Sequence, residues 1–292
     1  MNFDTDDTLI GSGNRDTLEG FNGDDVIVGG TAYDRLIGGD GNDFLIGSLH
    51  TDVIVEGQTV IHADFMVGGE GDDTLVGGSF YTSPLSLGNG APAEASPNFG
   101  SGALLKSNIA KIHSMWAGDG NDLILSGHDD IIGTGAGNDT IRSVSGDDTI
   151  YAGTGDDHII RYLDSAVIYG GDGNDSIVAG YNSDTVWGGA GDDTINGAVD
   201  QQAEFEQDTF YFASNHGNDV LLVGGDADSF ILNFENFSGG VSSASQLRAT
   251  AETVSSDHHY YSFGLKLTTD DGDSITILSH EVITASDLNI VF

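Results

Sequence analysis

Large apolar residues recur along this chain every nine positions, an interval that fits neither a helix nor a plain strand alternation. GGDGNDSIV at 170–178 shows the unit. GGDGNDFLI (38–46), GGEGDDTLV (68–76), AGDGNDLIL (117–125), TGAGNDTIR (134–142), AGTGDDHII (152–160) and GGAGDDTIN (188–196) repeat it. The pattern is G-G-x-G-x-D-x-U-x, where U is large and apolar. The last three residues predict a short strand with U facing inward and its neighbours outward, which places Ile27, Leu45, Leu75, Ile141, Ile159, Ile177 and Ile195 inside. The six residues before them predict a turn, because glycine accepts positive φ without a steric penalty. Glycine recurs too often for a helix. One unit cannot bury its apolar residue alone. Two units in succession make one flattened coil, and stacked coils share a narrow core. The fold class is therefore all-β, a solenoid.

The register is tight. Sixth-position acids fall at Asp7, Asp16, Asp25, Asp34, Asp43, Asp52, Asp64 and Asp73, nine apart except for three extra residues before Asp64. They resume at Asp122, Asp130, Asp139, Asp148, Asp157, Asp175, Asp184 and Asp193. Every second turn falls on the same edge of the coil. Those starting at 117, 134, 152, 170 and 188 keep the pattern and predict one continuous ladder. The opposite edge carries SGHDDIIG (126–133), SVSGDDTIY (143–151), RYLDSAVIY (161–169) and AGYNSDTVW (179–187). Three of these four lack the fourth-position glycine, and Ala166 stands where an acid belongs. The N-terminal units alternate likewise: 20–28 and 38–46 are good, whereas 11–19, 29–37 and 47–55 lack the fourth glycine. At 56–67 (EGQTVIHADFMV) the alternation breaks, so either a turn is enlarged there or the ladder changes edge.

Composition adds a condition for folding. Acids outnumber bases 47 to 8, and the formal charge is -39. Such a charge opposes compaction, yet 38% hydrophobic residues is too many for a disordered chain. A chain that is both foldable and self-repelling is expected to fold with cations. Eight Lys and Arg residues argue against nucleic acid and anionic membranes as partners. There is no cysteine, hence no disulfide or thiol chemistry. The N-terminus, MNFDTDDTLIGSG, lacks the features of a signal peptide, and no segment has the length of a transmembrane helix. The glycine-rich turns are not phosphate loops: none continues into G-K-[ST], and their acids repel phosphate.

These repeats resemble the RTX family, the hemolysin-type calcium-binding nonapeptide repeat proteins, closely from residue 2 to about 196 and more loosely beyond. The resemblance implies a parallel β-roll. In it, carbonyls of the glycine-rich positions and the sixth-position Asp of one turn bind Ca²⁺, and the next turn on the same edge completes the cage. Carried onto the good edge, it names Gly23 and Asp25; Gly38, Gly39, Asp40, Gly41 and Asp43; Gly68, Gly69, Gly71 and Asp73; Gly118, Gly120 and Asp122; Gly135, Gly137 and Asp139. It continues with Gly153, Gly155 and Asp157; Gly170, Gly171, Asp172, Gly173 and Asp175; Gly188, Gly189, Ala190, Gly191 and Asp193. At the start of the chain and on the opposite edge it names Asp7, Asp16, Asp34, Asp52, Asp130, Asp148 and Asp184, with weaker or absent calcium on that edge, above all around Ala166. Such oxygen ligands suit several Ca²⁺ ions better than Mg²⁺, which keeps its waters.

The resemblance also implies bacterial secretion through a type I exporter that reads an uncleaved C-terminal signal, and the ending ASDLNIVF is similar to one. The plan of repeats first and a non-repeat end last is similar to that of a secreted nodulation protein. Four segments are expected: roll blocks at 1–78 and 114–202, an insertion at 79–113, and a β-rich cap at 203–292 with SASQLRATAET as a short helix behind a Ser cap. HSMWAG reads as a repeat whose acid has become His113.

Two functional classes stay open. The leading one is a secreted calcium-binding protein without a catalytic domain, with a structural, matrix or adhesion role. The other is a polysaccharide lyase or epimerase working on the degenerate edge, with Arg161, Tyr162, Tyr181 and His128 as candidate residues and 79–113 as a lid. Its partner would be a polysaccharide or cell-surface glycan. The plainer reading of that edge is tolerated decay, and of the insertion a surface excursion. No H-E-x-x-H or G-x-S-x-G occurs, which excludes a fused zinc protease and leaves a fused lipase unsupported. His258–His259 reads as a surface pair, and Asp270, Asp271 and Asp273 lack the spacing and final Glu of an EF-hand.

Overall fold

The computed structural model describes residues 5–48, 53–55, 58–60, 64–77, 113–127, 129–197, 207–223, 230–234, 242–255, 261, 263–280 and 282–292. The chain winds as a parallel β-roll. Among the described residues one large sheet has eleven strands and the other thirteen, and through the repeats successive passages of the chain alternate between them. Strand Ala166–Asp172, for example, pairs in parallel with Asp148–Thr154 on one side and Thr185–Ala190 on the other. The intervening strand Ser176–Val178 does the same in the second sheet, between His158–Arg161 and Thr194–Asn196.

The nonapeptide dictates this winding. Its central apolar residue is the only large side chain that can turn inward, so each rung contributes one. Ile27, Leu45, Leu75, Ile141, Ile159, Ile177 and Ile195 are all buried, as the periodicity predicts. Facing them from the first sheet are Leu36, Met66, Met115, Ile132, Ile150, Ile168 and Val186, and all join one core. Each such side chain contributes roughly 1.5–3 kcal/mol by leaving water.

The alternation break at 56–67 is an enlarged turn. Arg35–Asp40 pairs with Phe65–Glu70, and Phe44–Ser48 pairs with Thr74–Val76, so the ladder keeps its edge. The antiparallel hairpin Val53–Val55/Gln58–Val60 belongs to that enlargement. Asp52 lies outside the described residues, and Asp64 takes the place beside Asp34, whose N–H donates to Asp64 Oδ1 at 2.9 Å. The long insertion leaves and rejoins on the same edge: Phe65–Glu70 pairs directly with Ser114–Asp119, so the two repeat blocks are one continuous roll. Of the segment 79–113, only His113 lies within the described residues.

Residues beyond 202 extend the roll before they close it. Asp208–Tyr211, Asn218–Val223, Phe230–Asn233 and Asn289–Val291 all pair in parallel with earlier strands. The second sheet then reverses, with Ser274–Ser279, Phe263–Thr268 and Glu252–Ser255 forming antiparallel neighbours. Phe210, Phe230 and Phe234 take the place of aliphatic residues in the core here. The helix Ala244–Arg248 starts at the Ser243 cap and buries Leu247. Leu247, Leu265, Leu267, Ile275 and Ile277 from this end join the same core as the repeats.

The outer face of the first sheet carries a feature that sequence reasoning missed. Tyr151, Tyr169, Trp187 and Tyr211 occupy one register position on successive strands. Their rings stack at centroid distances of 4.9, 4.4 and 4.2 Å. The signal was present: the first three stand at the last position of three consecutive units on the degenerate edge.

Candidate metal centre

The turns are shaped by two demands at once. Gly171 and Gly173 hold φ of 125° and 139°, a left-handed conformation that side chains rarely adopt. They are also stacked against the rung before. A Cβ on Gly171 would lie 1.9 Å from the Gly153 carbonyl oxygen, and one on Gly173 would lie 2.0 Å from that of Gly155. The second and fourth positions of the good turns share this arrangement, which brings successive turns close enough for their acids to bond across rungs.

The acids do so without interruption. On the good edge the N–H of Asp7 donates to Oδ1 of Asp25, and the same bond links Asp25, Asp43, Asp73, Asp122, Asp139, Asp157, Asp175, Asp193 and Asp219 in order, at 2.6–3.0 Å. The ladder therefore runs through both repeat blocks, past the insertion. Each carboxylate spends Oδ1 on its neighbour's backbone. Among the described residues the other oxygen, Oδ2, is buried and accepts no hydrogen bond at Asp25, Asp43, Asp73, Asp122, Asp139, Asp157, Asp175 and Asp193.

That arrangement is unfavourable without a cation. Burial, reinforced by neighbouring carboxylates, pushes Asp193 up to about 8 and Asp73 and Asp157 up to about 7. Burial likewise raises Asp43, Asp122 and Asp175 to about 6. The turn carbonyls supply further oxygen. Asp40, Asp172 and Ala190 each accept one backbone N–H, from Gly23, Gly155 and Gly173 at 2.8, 2.7 and 2.8 Å, and a carbonyl has a second lone pair. Among the described residues no three His, Cys, Asp or Glu side chains come together closely enough to hold a metal alone. A cation here would take many of its ligands from the backbone, a donor set that suits Ca²⁺.

A second ladder runs beside the first, and the sequence reading treated its position as variable. Fifth-position residues Asp24, Asn42, Asp72, Asn121, Asn138, Asp156, Asn174, Asp192 and Asn218 are bonded in order, each N–H donating to the side-chain oxygen of the preceding one at 2.7–2.8 Å. Only Asp and Asn occur there, which was the overlooked signal.

The opposite edge has the same backbone link but a different chemistry. Asp16, Asp34, Asp64, His113, Asp130 and Asp148 are joined by N–H bonds to Oδ1, with His113 Nδ1 replacing a carboxylate oxygen opposite Asp64. At three of these rungs the second oxygen meets the chain's own hydroxyls. Ser12 bonds Oδ2 of Asp16 at 2.9 Å, and the hydroxyls of Ser126 and Ser143 donate to Oδ2 of Asp130 and Asp148. At Ala166 the carboxylate is missing, and the Ala166 N–H donates to Asp184 Oδ1 at 2.7 Å. The Arg161 guanidinium lies beside this gap, bonded to both Asp148 and Asp184.

These placements separate the candidate groove residues. Arg161 is only 1% exposed and turned into the roll. Tyr162 and Tyr181 are half-buried neighbours, the N–H of Tyr181 donating to the Tyr162 carbonyl at 3.1 Å. His128 lies outside the described residues, as do His258 and His259. At the far end of the good edge, His216 Nδ1 stands 2.7 Å from Oδ2 of Asp219. The last rung thus meets a nitrogen of its own chain where the eight before it, Asp25 to Asp193, present an oxygen with no hydrogen-bond partner among the described residues.

Among the described residues no helix is long and apolar enough to cross a membrane. No curated protein matches the chain, so the likeness to a nodulation protein gains no support. The family model for the RTX calcium-binding nonapeptide repeat (4 copies) matches residues 2–34, 29–55, 62–80, 114–141, 133–160 and 169–200, together more than half of the chain. With these repeats wound into a parallel roll around a carboxylate ladder, the chain belongs to the RTX calcium-binding nonapeptide repeat family.

Proposed function

We propose that this protein is a secreted scaffold whose roll assembles when calcium fills the good edge, and that its role is structural, in a matrix, surface layer or adhesive contact. The observation that carries this reading is the run of eight consecutive rungs whose buried Oδ2 atoms lack a partner among the described residues. Metal binding would then be part of the folding free energy. In a low-calcium cytosol the chain would stay largely unfolded, which suits passage through a type I exporter. Outside the cell it would fold. The alternative reading, an enzyme acting on polysaccharide at the degenerate edge, loses its proposed cation, because the Arg161 guanidinium is buried and bonded within the roll.

Circular dichroism with and without calcium tests the folding claim. The expected result is coil in chelator and β-structure after calcium is restored. β-structure of equal strength in chelator would overturn it. A glycan-binding and degradation screen in calcium buffer tests the role: saturable binding without turnover supports adhesion, and a change in product mass points to the enzyme.

A further inference from the structure

Arg161 heads the largest fully buried side chains among the described residues. The acceptors of its guanidinium are all oxygens. Nε donates to Asp148 Oδ2 at 3.2 Å. One terminal nitrogen donates to the Asp164 carbonyl at 3.2 Å and to Asp184 Oδ1 at 3.3 Å. The other donates to the carbonyls of Gly146 at 2.5 Å and Leu163 at 2.8 Å. A guanidinium has five N–H donors, and these contacts use all five.

The origin of those oxygens is informative. Asp148 and Gly146 are the sixth and fourth positions of turn 143–148. Leu163 and Asp164 are the third and fourth positions of the next turn on the same edge, and Asp184 is the sixth position of the turn after that. A sixth-position carboxylate with turn carbonyls from one rung, completed by carbonyls of the next, is the donor set the repeat offers to a metal on the other edge. Arg161 itself stands at a first position, level with Ser143 in the strand pairing. Ser143 there only reaches the acid of its own turn. The longer Arg161 side chain reaches acids on both sides of the gap left by Ala166. The loss of one carboxylate is matched by a cation of one charge fewer.

We infer that the Arg161 guanidinium occupies a calcium position of the degenerate edge, so that this rung is held together by a covalently attached cation and takes no metal. This rests on the calcium reading of the repeats. The guanidinium supplies charge and planar hydrogen bonding to carboxylates, and does so at any calcium concentration. The rung between Asp148 and Asp184 is then a calcium-independent clamp in a calcium-dependent roll.

Anomalous scattering from wild-type crystals grown in calcium tests the assignment directly. The expected map has ions along Asp122, Asp139, Asp157, Asp175 and Asp193, and none between Asp148 and Asp184. An ion beside Arg161 at that place would overturn the inference while leaving the calcium reading intact. No ion on either edge would overturn the calcium reading, and the inference with it. Native mass spectrometry of variants gives an independent count. Arg161→Gly combined with Ala166→Asp removes the side-chain cation and restores the first-position glycine and the sixth-position acid of the unit, and should bind one calcium more than wild type. Arg161→Lys keeps the charge and should bind no more. A calcium-folded double variant with the wild-type count would refute the clamp; if that variant does not fold, the wild-type map decides.

Discussion

Asp157 and Asp175 are joined across one rung: the backbone N–H of Asp157 donates to Oδ1 of Asp175 at 2.9 Å, while Oδ2 of Asp175 stays buried without a partner among the described residues. One carboxylate therefore has two separable duties, and substitution can divide them. Asp175→Asn keeps an oxygen acceptor but removes the charge. Asp175→Ala removes both, and strands a buried N–H at a further cost of about 1–3 kcal/mol. In a calcium titration followed by circular dichroism, the folding midpoint should rise for Asn and rise further for Ala. Equal midpoints for the two variants would show that the backbone bond contributes nothing.

The ladder in chelator should respond to acid in the opposite sense to most proteins. Asp43, Asp122 and Asp175 are raised to about 6, Asp73 and Asp157 to about 7, and Asp193 to about 8, from an ordinary 3.8. The folded state thus holds protons that the unfolded state has released. Its contribution to stability is fully present below about pH 4 and is lost as pH rises through about 6 to 8. Urea denaturation in chelator should find more residual structure at pH 5 than at pH 8. With calcium present the protons compete with the ion, so the calcium midpoint should rise on acidification.

Tyr169 lies between Tyr151 and Trp187, with ring centroids 4.9 and 4.4 Å away. Aromatic pairs contribute about 0.5–1.5 kcal/mol each beyond their buried area. Tyr169→Ala should therefore lose about 1–3 kcal/mol, from two such pairs, read as a lower Tm in saturating calcium, with the bound calcium count unchanged. Tyr169→Phe keeps the stack and should stay close to wild type. A changed calcium count in either variant would tie the aromatic stack to the metal edge.

The features most visible in the sequence were those that repeat. Ile177 and Asp175 recur with their neighbours, so the core and the acid ladder followed from periodicity. What periodicity could not supply was the fate of departures from the pattern. Ala166 marked a missing carboxylate, but only the fold brings Arg161 between Asp148 and Asp184, acids 13 residues before it and 23 after. The choice of Asp64 to follow Asp34 was equally hidden, since an enlarged turn and a change of edge fit the same spacing. The Tyr151–Tyr169–Trp187 stack was legible in principle, because a spacing of two units aligns residues across rungs, but it lies at a position the repeat leaves variable.

Glycine substitutions should expose how unequal the two edges are. At Gly171 the backbone has φ of 125°, and a Cβ would come within 1.9 Å of the Gly153 carbonyl oxygen. Gly171→Ala must both strain the chain and push two rungs of the ladder apart, and strain of this kind alone costs about 1–3 kcal/mol. The expected result is a large rise in the calcium needed for folding, or loss of folding altogether. Gly127 occupies the degenerate edge, where a Cβ meets nothing within 4 Å among the described residues. Gly127→Ala should leave the calcium midpoint unchanged, or gain about 0.4–1 kcal/mol by restricting the unfolded chain. Parallel calcium titrations of the two variants check this, and similar losses at both positions would contradict the assignment of the metal ladder to the edge that carries Gly171.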